Sequence, residues 1–294
     1  MSSWRISRVA LVGLAIAGLA SPAVTKAQAQ QPLTFTTIDV SGAVETDANG
    51  IDNAGDIVGF YVDAKGVDHG FIDVGGDITT INVPGSIATV VNGISALDDI
   101  ITGWYTDAQL VQHGFVLSNG LFTKIDVPDA NWTQAFSTNT TGSIVGAFAD
   151  HSGVVHGFLD MDARGKFTTL DFTGSTLTEI HGINGARYMA GIYDGSSGIE
   201  HGVFGASGVL VSAVNFPRAK ITAANGINDE VEIVGYYGAH AAGPFHGYAM
   251  HSGNFSTVDF PKATETRCSG VNTLGQIVGR YTDSAGVIHG FLGK

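Results

Sequence analysis

The chain repeats itself. Residues 50–84 read GIDNAGDIVGFYVDAKGVDHGFIDVGGDITTINVP, and the stretch recurs with substitutions down to the last residues, in six copies spaced 43 to 45 residues apart. A unit of that length is one supersecondary element that buries its apolar face only by stacking on its neighbours, so the period constrains the architecture before any single residue does. Each copy divides into four strand-like pieces, which in the first copy are Thr46–Ile51, Ile57–Val62, His69–Val74 and Ile78–Val83. Asp52-Asn53-Ala54-Gly55-Asp56 and Asp63-Ala64-Lys65-Gly66 separate the first three, and these are residues that turn a chain tightly or tolerate positive φ. Short strands with glycine-rich turns at such intervals predict an antiparallel meander. A content of 41 glycines with 44% hydrophobic residues suits that reading better than helix or disorder.

Five positions mark the register. The second strand carries Gly59, Gly103, Gly146, Gly191, Gly235 and Gly279; the third opens on His69, His113, His156, His201, His246 and His289, each followed by glycine. The fourth carries Asp39, Asn82, Asp126, Asp171, Asn215 and Asp259, and the first begins at Thr46, Thr89, Thr133, Thr178, Thr222 and Thr266. A turn aspartate stands at Asp63, Asp107, Asp150, Asp194 and Asp283, and the fifth copy lacks it. The two ends are complementary, a lone fourth strand at residues 35–40 and a lone third strand from His289 to Leu292. Pairing them completes the sixth unit and leaves no exposed sheet edge. The predicted fold is therefore all-β, a six-bladed β-propeller of four-stranded blades closed by the N-terminal strand pairing with the last blade.

Gly226-Ile227-Asn228, Ile233-Val234-Gly235-Tyr236 and His246-Gly247-Tyr248 form one unit signature; Val271-Asn272, Ile277-Val278-Gly279, Tyr281, Asp283 and His289-Gly290-Phe291 form another. In these residues the chain resembles the bacterial extracellular HAF-repeat proteins, whose unit reads roughly G-I-N-x-x-G-x-I-V-G-x-Y-x-D-x-x-G-x-x-H-x-F. The third copy departs, with Ser137-Thr138-Asn139 where Gly-Ile-Asn is expected. The resemblance implies a secreted propeller-like protein and brings no established activity with it.

The first 29 residues read separately. Arg5 and Arg8 precede an apolar run from Val9 to Ala20, and Ala27-Gln28-Ala29 offers a small-x-small cleavage pattern, which together predict an export signal. The apolar run is too short to span a bilayer. Residues 30–294 are then a single six-repeat propeller domain, secreted or periplasmic, with no membrane insertion after the signal is removed. Removing three basic residues and no acidic one takes the formal charge from −13 to −16, which repels nucleic acid and anionic lipid. Cys268 is the single cysteine, so the chain forms no internal disulfide; at an apolar packing position it reads as a small buried hydrophobe. A monomer is expected.

Six histidines invite a metal ring, but they sit one per blade, and no cofactor or metal is expected. The better reading is that each bonds within its own blade to the recurring Asp or Thr, since a buried polar group needs a partner. What differs between copies is where a single site lies. The first strand of each unit should be innermost, with Ala48, Val91, Ala135, Ile180, Ala224 and Cys268 packing between blades. Strand alternation turns the residues on either side of these toward the central channel. Asp47, Glu179, His181 and Arg267 are the candidates there for acid, base and anion-holding roles, and Asn49, Asn92, Gln134, Phe136, Asn225 and Ser269 are candidate ligand contacts.

No nucleophile-turn motif accompanies them. The leading reading is a binding module for a carbohydrate or another extracellular partner. A polysaccharide lyase, hydrolase or lactonase at the channel mouth and a structural envelope or matrix protein are the alternatives. Lesser features are the altered fifth turn at residues 238–245, Trp132 as a sugar platform or core residue, and two glycosylation-type acceptors, Asn131 and Asn139.

Overall fold

The structure, a computed structural model, describes residues 33–95 and 100–294; the expected export signal at residues 1–29 lies outside them. β1 (Phe35–Ile38) comes first, and then the units follow one another. The first unit is β2 (Glu45–Ile51), β3 (Ile57–Val62), β4 (Asp68–Val74) and β5 (Asp77–Ile81). The second is β6 (Ala88–Ile94), β7 (Ile101–Thr106), β8 (Gln112–Ser118) and β9 (Leu121–Ile125). The third is β10 (Trp132–Thr138), β11 (Ile144–Ala149), β12 (Val155–Asp160) and β13 (Phe167–Leu170). The fourth is β14 (Leu177–Ile183), β15 (Tyr188–Asp194), β16 (Glu200–Ala206) and β17 (Val209–Val214). The fifth is β18 (Ile221–Ile227), β19 (Ile233–Gly238), β20 (Phe245–His251) and β21 (Asn254–Val258). The sixth is β22 (Glu265–Val271), β23 (Ile277–Thr282) and β24 (Ile288–Gly293).

Every unit is an antiparallel meander, an all-β, propeller-type arrangement of four-stranded sheets. β1 pairs antiparallel with β24, Phe35 opposite Gly293 and Ile38 opposite Gly290. The first strands abut in succession, β2 on β6, β6 on β10, β10 on β14, β14 on β18 and β18 on β22, and β22 lies against β2.

The repeated residues each have a physical reason. A Cβ on any of the six second-strand glycines would stand 1.9 to 2.1 Å from the backbone carbonyl oxygen of the first strand, at Asp47 for Gly59 and at Ala223 for Gly235. Only glycine permits that approach. The threonines tie one unit to the next: the Oγ1 of Thr46, Thr89, Thr133, Thr178, Thr222 and Thr266 accepts from a backbone N–H just beyond the preceding fourth strand, at 3.0 to 3.2 Å. Ala48, Val91, Ala135, Ile180, Ala224 and Cys268 are fully buried between sheets, as alternation predicts. Burial pushes the Cys268 thiol far above its ordinary value, so it packs as an apolar group.

The histidines do bond within their own units: Nδ1 faces the fourth-strand Asp or Asn, as in His113 to Asp126 and His289 to Asp39, both at 2.9 Å, and in some units Nε2 faces the turn aspartate, as in His113 to Asp107 at 3.2 Å. None of the six is buried, which differs from the expectation of a buried imidazole. Each ring rests on the outer end of its sheet, often stacked on a second-strand aromatic such as Tyr61 or Tyr281.

An additional belt of side chains links the first-strand ends. The Nδ2 of Asn139 donates to the Asn184 carbonyl, Asn184 to Asn228, Asn228 to Asn272 and Asn272 to Asp52, all at 2.8 to 2.9 Å. Asn139 is buried and committed to this belt, which takes it out of consideration as a glycan acceptor in the folded protein.

Candidate functional site

The first strand of every unit carries a β-bulge at the same point, between Ala48 and Gly50 in the first unit and between Cys268 and Gly270 in the sixth. The residue left unpaired is Asn49, Asn92, Phe136, His181, Asn225 or Ser269. A bulge re-aims its extra side chain. Here it turns all six toward the centre, where they line a cavity of ≈ 270 Å³ at the channel mouth. The six expected residues three places after the threonines are thus brought together, each at a bulge.

Asp47 and Arg267 join that lining. Gln134 and Glu179 stand beside it: Gln134 donates to the Gln112 side chain at 2.9 Å, and Glu179 holds His181. Two lining residues, Tyr236 and Arg280, were not anticipated. Both follow a second-strand glycine, at a position occupied elsewhere by Phe60, Trp104, Ala147 and Ile192. The variability that singled out the first-strand set was present there too, and it is the signal that finds them. Phe245 also enters. It is the product of the altered fifth turn, and its buried ring lies under the Arg267 guanidinium, 4.3 Å from centroid to Cζ.

The charges are held in specific contacts. The Nε of Arg267 donates to Glu265 at 2.7 Å while its guanidinium also faces Tyr236 at 4.7 Å, so the group is clamped between a carboxylate and two rings. Arg280 donates from Nη1 to Asp47 Oδ2 at 3.1 Å, with Glu45 3.7 Å away. Asp47 is buried; desolvation pushes its carboxyl above the ordinary value against the pull of Arg280 and Arg267. Its Oδ1 has no hydrogen-bond partner. Nearby, burial raises Glu200 and Tyr236 alike.

His181 is fixed from both sides. Asn225 donates its Nδ2 to the Cys268 carbonyl, so its Oδ1 is the acceptor that faces His181 Nδ1 at 3.1 Å. Glu179 accepts at Nε2, at 2.9 Å. With an acceptor at each nitrogen, both must donate, which is the imidazolium form. Burial opposes the charge, but the Glu179 contact, Asn225 and the more distant Glu200 outweigh it, and the pKa lies above its ordinary value of 6.5. A ring donating from both nitrogens has no lone pair for a proton, so His181 is not a general base in this arrangement.

A stability effect follows. With the folded pKa raised above the unfolded one, the contribution of His181 is complete below about pH 6.5 and is lost as pH rises through the folded value. Thermal scans of the native protein and His181→Gln should show their largest difference in midpoint at mildly acid pH and a shrinking difference toward alkaline pH. A difference that stays constant would mean that the ring is neutral.

The remaining sequence candidates lie elsewhere. Trp132 is half-buried and borders a separate cavity of ≈ 230 Å³ with Gln112, His113 and Asp126. Asn131 donates to the Asp150 carbonyl at 2.6 Å. Among the described residues, no three or more His, Cys, Asp or Glu side chains form a group able to hold a metal ion.

The sheets and the central cavity define a β-propeller. No protein-family model and no curated protein matches the chain. Solved structures do. AofleA from Arthrobotrys oligospora is similar with a TM-score of 0.57 at 13% identity, over 88% of this chain and 85% of that one. A lectin from Aleuria aurantia, described as a six-bladed β-propeller with a novel mode of fucose recognition, is similar with a TM-score of 0.52 at 11% identity, over 87% and 93%. The propeller domain of the trilobed protease from Pyrococcus furiosus, described as having an open velcro topology, is similar with a TM-score of 0.50 at 8% identity, over 87% and 95%. At such identities the likeness is one of fold.

Proposed function

We propose that this protein is an exported, monomeric six-bladed propeller of the HAF-repeat type, closed by β1 on β24, and that it is a non-enzymatic module binding a saccharide at the channel mouth. One observation carries the reading. The units are alike wherever the scaffold needs them to be, and they differ at the mouth cavity, where a buried carboxylate oxygen of Asp47 is left without a partner. A buried acceptor without a donor costs about 1 to 3 kcal/mol, and a hydroxyl-bearing ligand relieves that cost when the carboxylate turns toward the cavity. The likeness to a lectin propeller agrees with this but does not bring its sugar or its sites. Both nitrogens of His181 are engaged, which speaks against a lyase or hydrolase that uses it as the base.

Thermal unfolding against a panel of neutral and acidic saccharides tests the reading. A ligand at a hundredfold its dissociation constant adds about 2.7 kcal/mol, which at about 2 to 4 °C per kcal/mol raises the midpoint by about 5 to 10 °C. A rise that disappears in Asp47→Asn supports the mouth site. No rise with any saccharide would overturn it and favour a protein partner.

A further inference from the structure

The cavity has a sign as well as a shape. The whole sequence carries 27 acidic and 14 basic residues, yet the lining of this cavity holds Arg267, Arg280 and His181 against a single carboxylate, Asp47. Each cation is held by a carboxylate, Arg267 by Glu265, Arg280 by Asp47 and Glu45, and His181 by Glu179, so the cations face the cavity while most of their countercharges lie behind or beside it.

The two arginines are placed in a way that the scaffold does not require. Arg267 and Arg280 are direct partners across β22 and β23. Like charges directly opposite each other destabilise a sheet. The same cross-strand pair in the other units is Asp47 with Phe60, Val90 with Trp104, Gln134 with Ala147, Glu179 with Ile192, and Ala223 with Tyr236, and none repeats a charge. Five units therefore fold without the pair, and the sixth bears its repulsion.

Neither guanidinium is saturated. Arg267 uses Nε for Glu265 and Arg280 uses Nη1 for Asp47. Among the described residues, no hydrogen bond engages the Nη atoms of Arg267 or the Nε and Nη2 of Arg280. Planar donors held in place in advance suit a planar carboxylate, because the ordering cost has been met before the ligand arrives. Asp47 makes the opposite demand. Its Oδ1 is without a partner and closed to solvent, so a donor from the same ligand reaches it once the carboxylate turns toward the cavity. A carboxylate alone leaves Asp47 unsatisfied, a neutral sugar leaves the arginines unsatisfied, and a sugar acid satisfies both. A volume of ≈ 270 Å³ is close to the small end, about 300 Å³, of ordinary ligand cavities, and it suits one sugar ring.

We propose that the mouth cavity binds a carboxylate-bearing sugar, a single uronic-acid residue, with the carboxylate on Arg267 and Arg280 and a ring hydroxyl donating to Asp47. The proposal rests on the saccharide-binding reading above and names its ligand class. Titration calorimetry of the full protein with D-galacturonate and D-glucuronate, against D-galactose, D-glucose and L-alanine, tests it. The uronates should bind about tenfold or more tightly than their neutral counterparts. Arg267→Gln should remove that preference while leaving the melting midpoint nearly unchanged, and Arg267→Lys, which keeps the charge but not the fork, should restore only part of it. Should Arg267→Gln fail to fold, the comparison of uronate with neutral sugar on the unaltered protein decides alone. Equal binding of neutral and acidic sugars would overturn the carboxylate inference and leave the saccharide reading standing. Tighter binding of L-alanine, whose ammonium would occupy the Asp47 position, would overturn it in favour of amino acids. Absence of binding by all the sugars would overturn both.

Discussion

A chain beginning at Ser41, and so lacking β1, should fail to give a stable monomer. β1 contributes the buried Ile38 and the Phe35 ring, which meets Phe260 and Phe291 edge-on at 5.5 and 5.7 Å. It also supplies Asp39 to His289 at 2.9 Å and Thr37 Oγ1 to the Tyr281 hydroxyl at 2.9 Å. Burying each large apolar side chain is worth about 1.5 to 3 kcal/mol, and the lost hydrogen bonds about 1 kcal/mol apiece. The sum is comparable with the ~5 to 15 kcal/mol that holds a typical domain together. Loss of β1 also exposes β24 as a free edge, which templates association. Size-exclusion chromatography should show aggregates or a collapsed yield, and a synthetic peptide of residues 33–40 should restore the monomer. A truncated monomer melting within about 2 °C of the full chain would refute the closure.

Gly235→Ala should be nearly as damaging, although it adds one methyl group. The new Cβ would stand 1.9 Å from the Ala223 carbonyl oxygen, and neither of the hydrogen-bonded backbones can yield without disturbing the ladder between β18 and β19. Overpacking of this kind costs about 3 kcal/mol or more, a fall of about 6 to 12 °C in the midpoint. Gly195→Ala is the control. Its φ lies outside the left-handed region and a Cβ there meets nothing within 4 Å, so the midpoint should barely move. A shift below about 2 °C for Gly235→Ala would mean that the strands are more loosely coupled than their separation indicates.

Much of the fold was legible because the repeat supplies the same statement six times. The strand expected at Ile57–Val62 occupies those residues, and the one expected from Thr46 begins one residue earlier, at Glu45. The outer strand expected at Ile78–Val83 is Asp77–Ile81, since the chain leaves the sheet early and Val83 donates its N–H to Thr89. Small or apolar residues two places after each threonine identified the packing seam. The histidine partners could be narrowed to Asp or Thr but not chosen, because both recur at fixed spacing. Geometry gave the histidine to the carboxylate or amide and the threonine to the neighbouring backbone.

The candidate site was half legible. Variation between copies pointed to Asp47, His181, Arg267 and the asparagines, but Gln134 found a partner in Gln112, and Glu179 became a brace for His181. Tyr236, Arg280 and Phe245 come from strands other than the first, and sequence spacing does not say that they meet it. What the sequence by itself determined is the local and periodic part of this protein: the units, their strands, their turns and the seam between them, all set by alternation and steric demand within about 44 residues. What only the tertiary structure decided is which charges face one another. The pairing of Arg280 with Asp47 joins residues 233 apart in sequence. Such a contact arises from the abutment of β22 and β23 on β2, and no pattern along the chain encodes it.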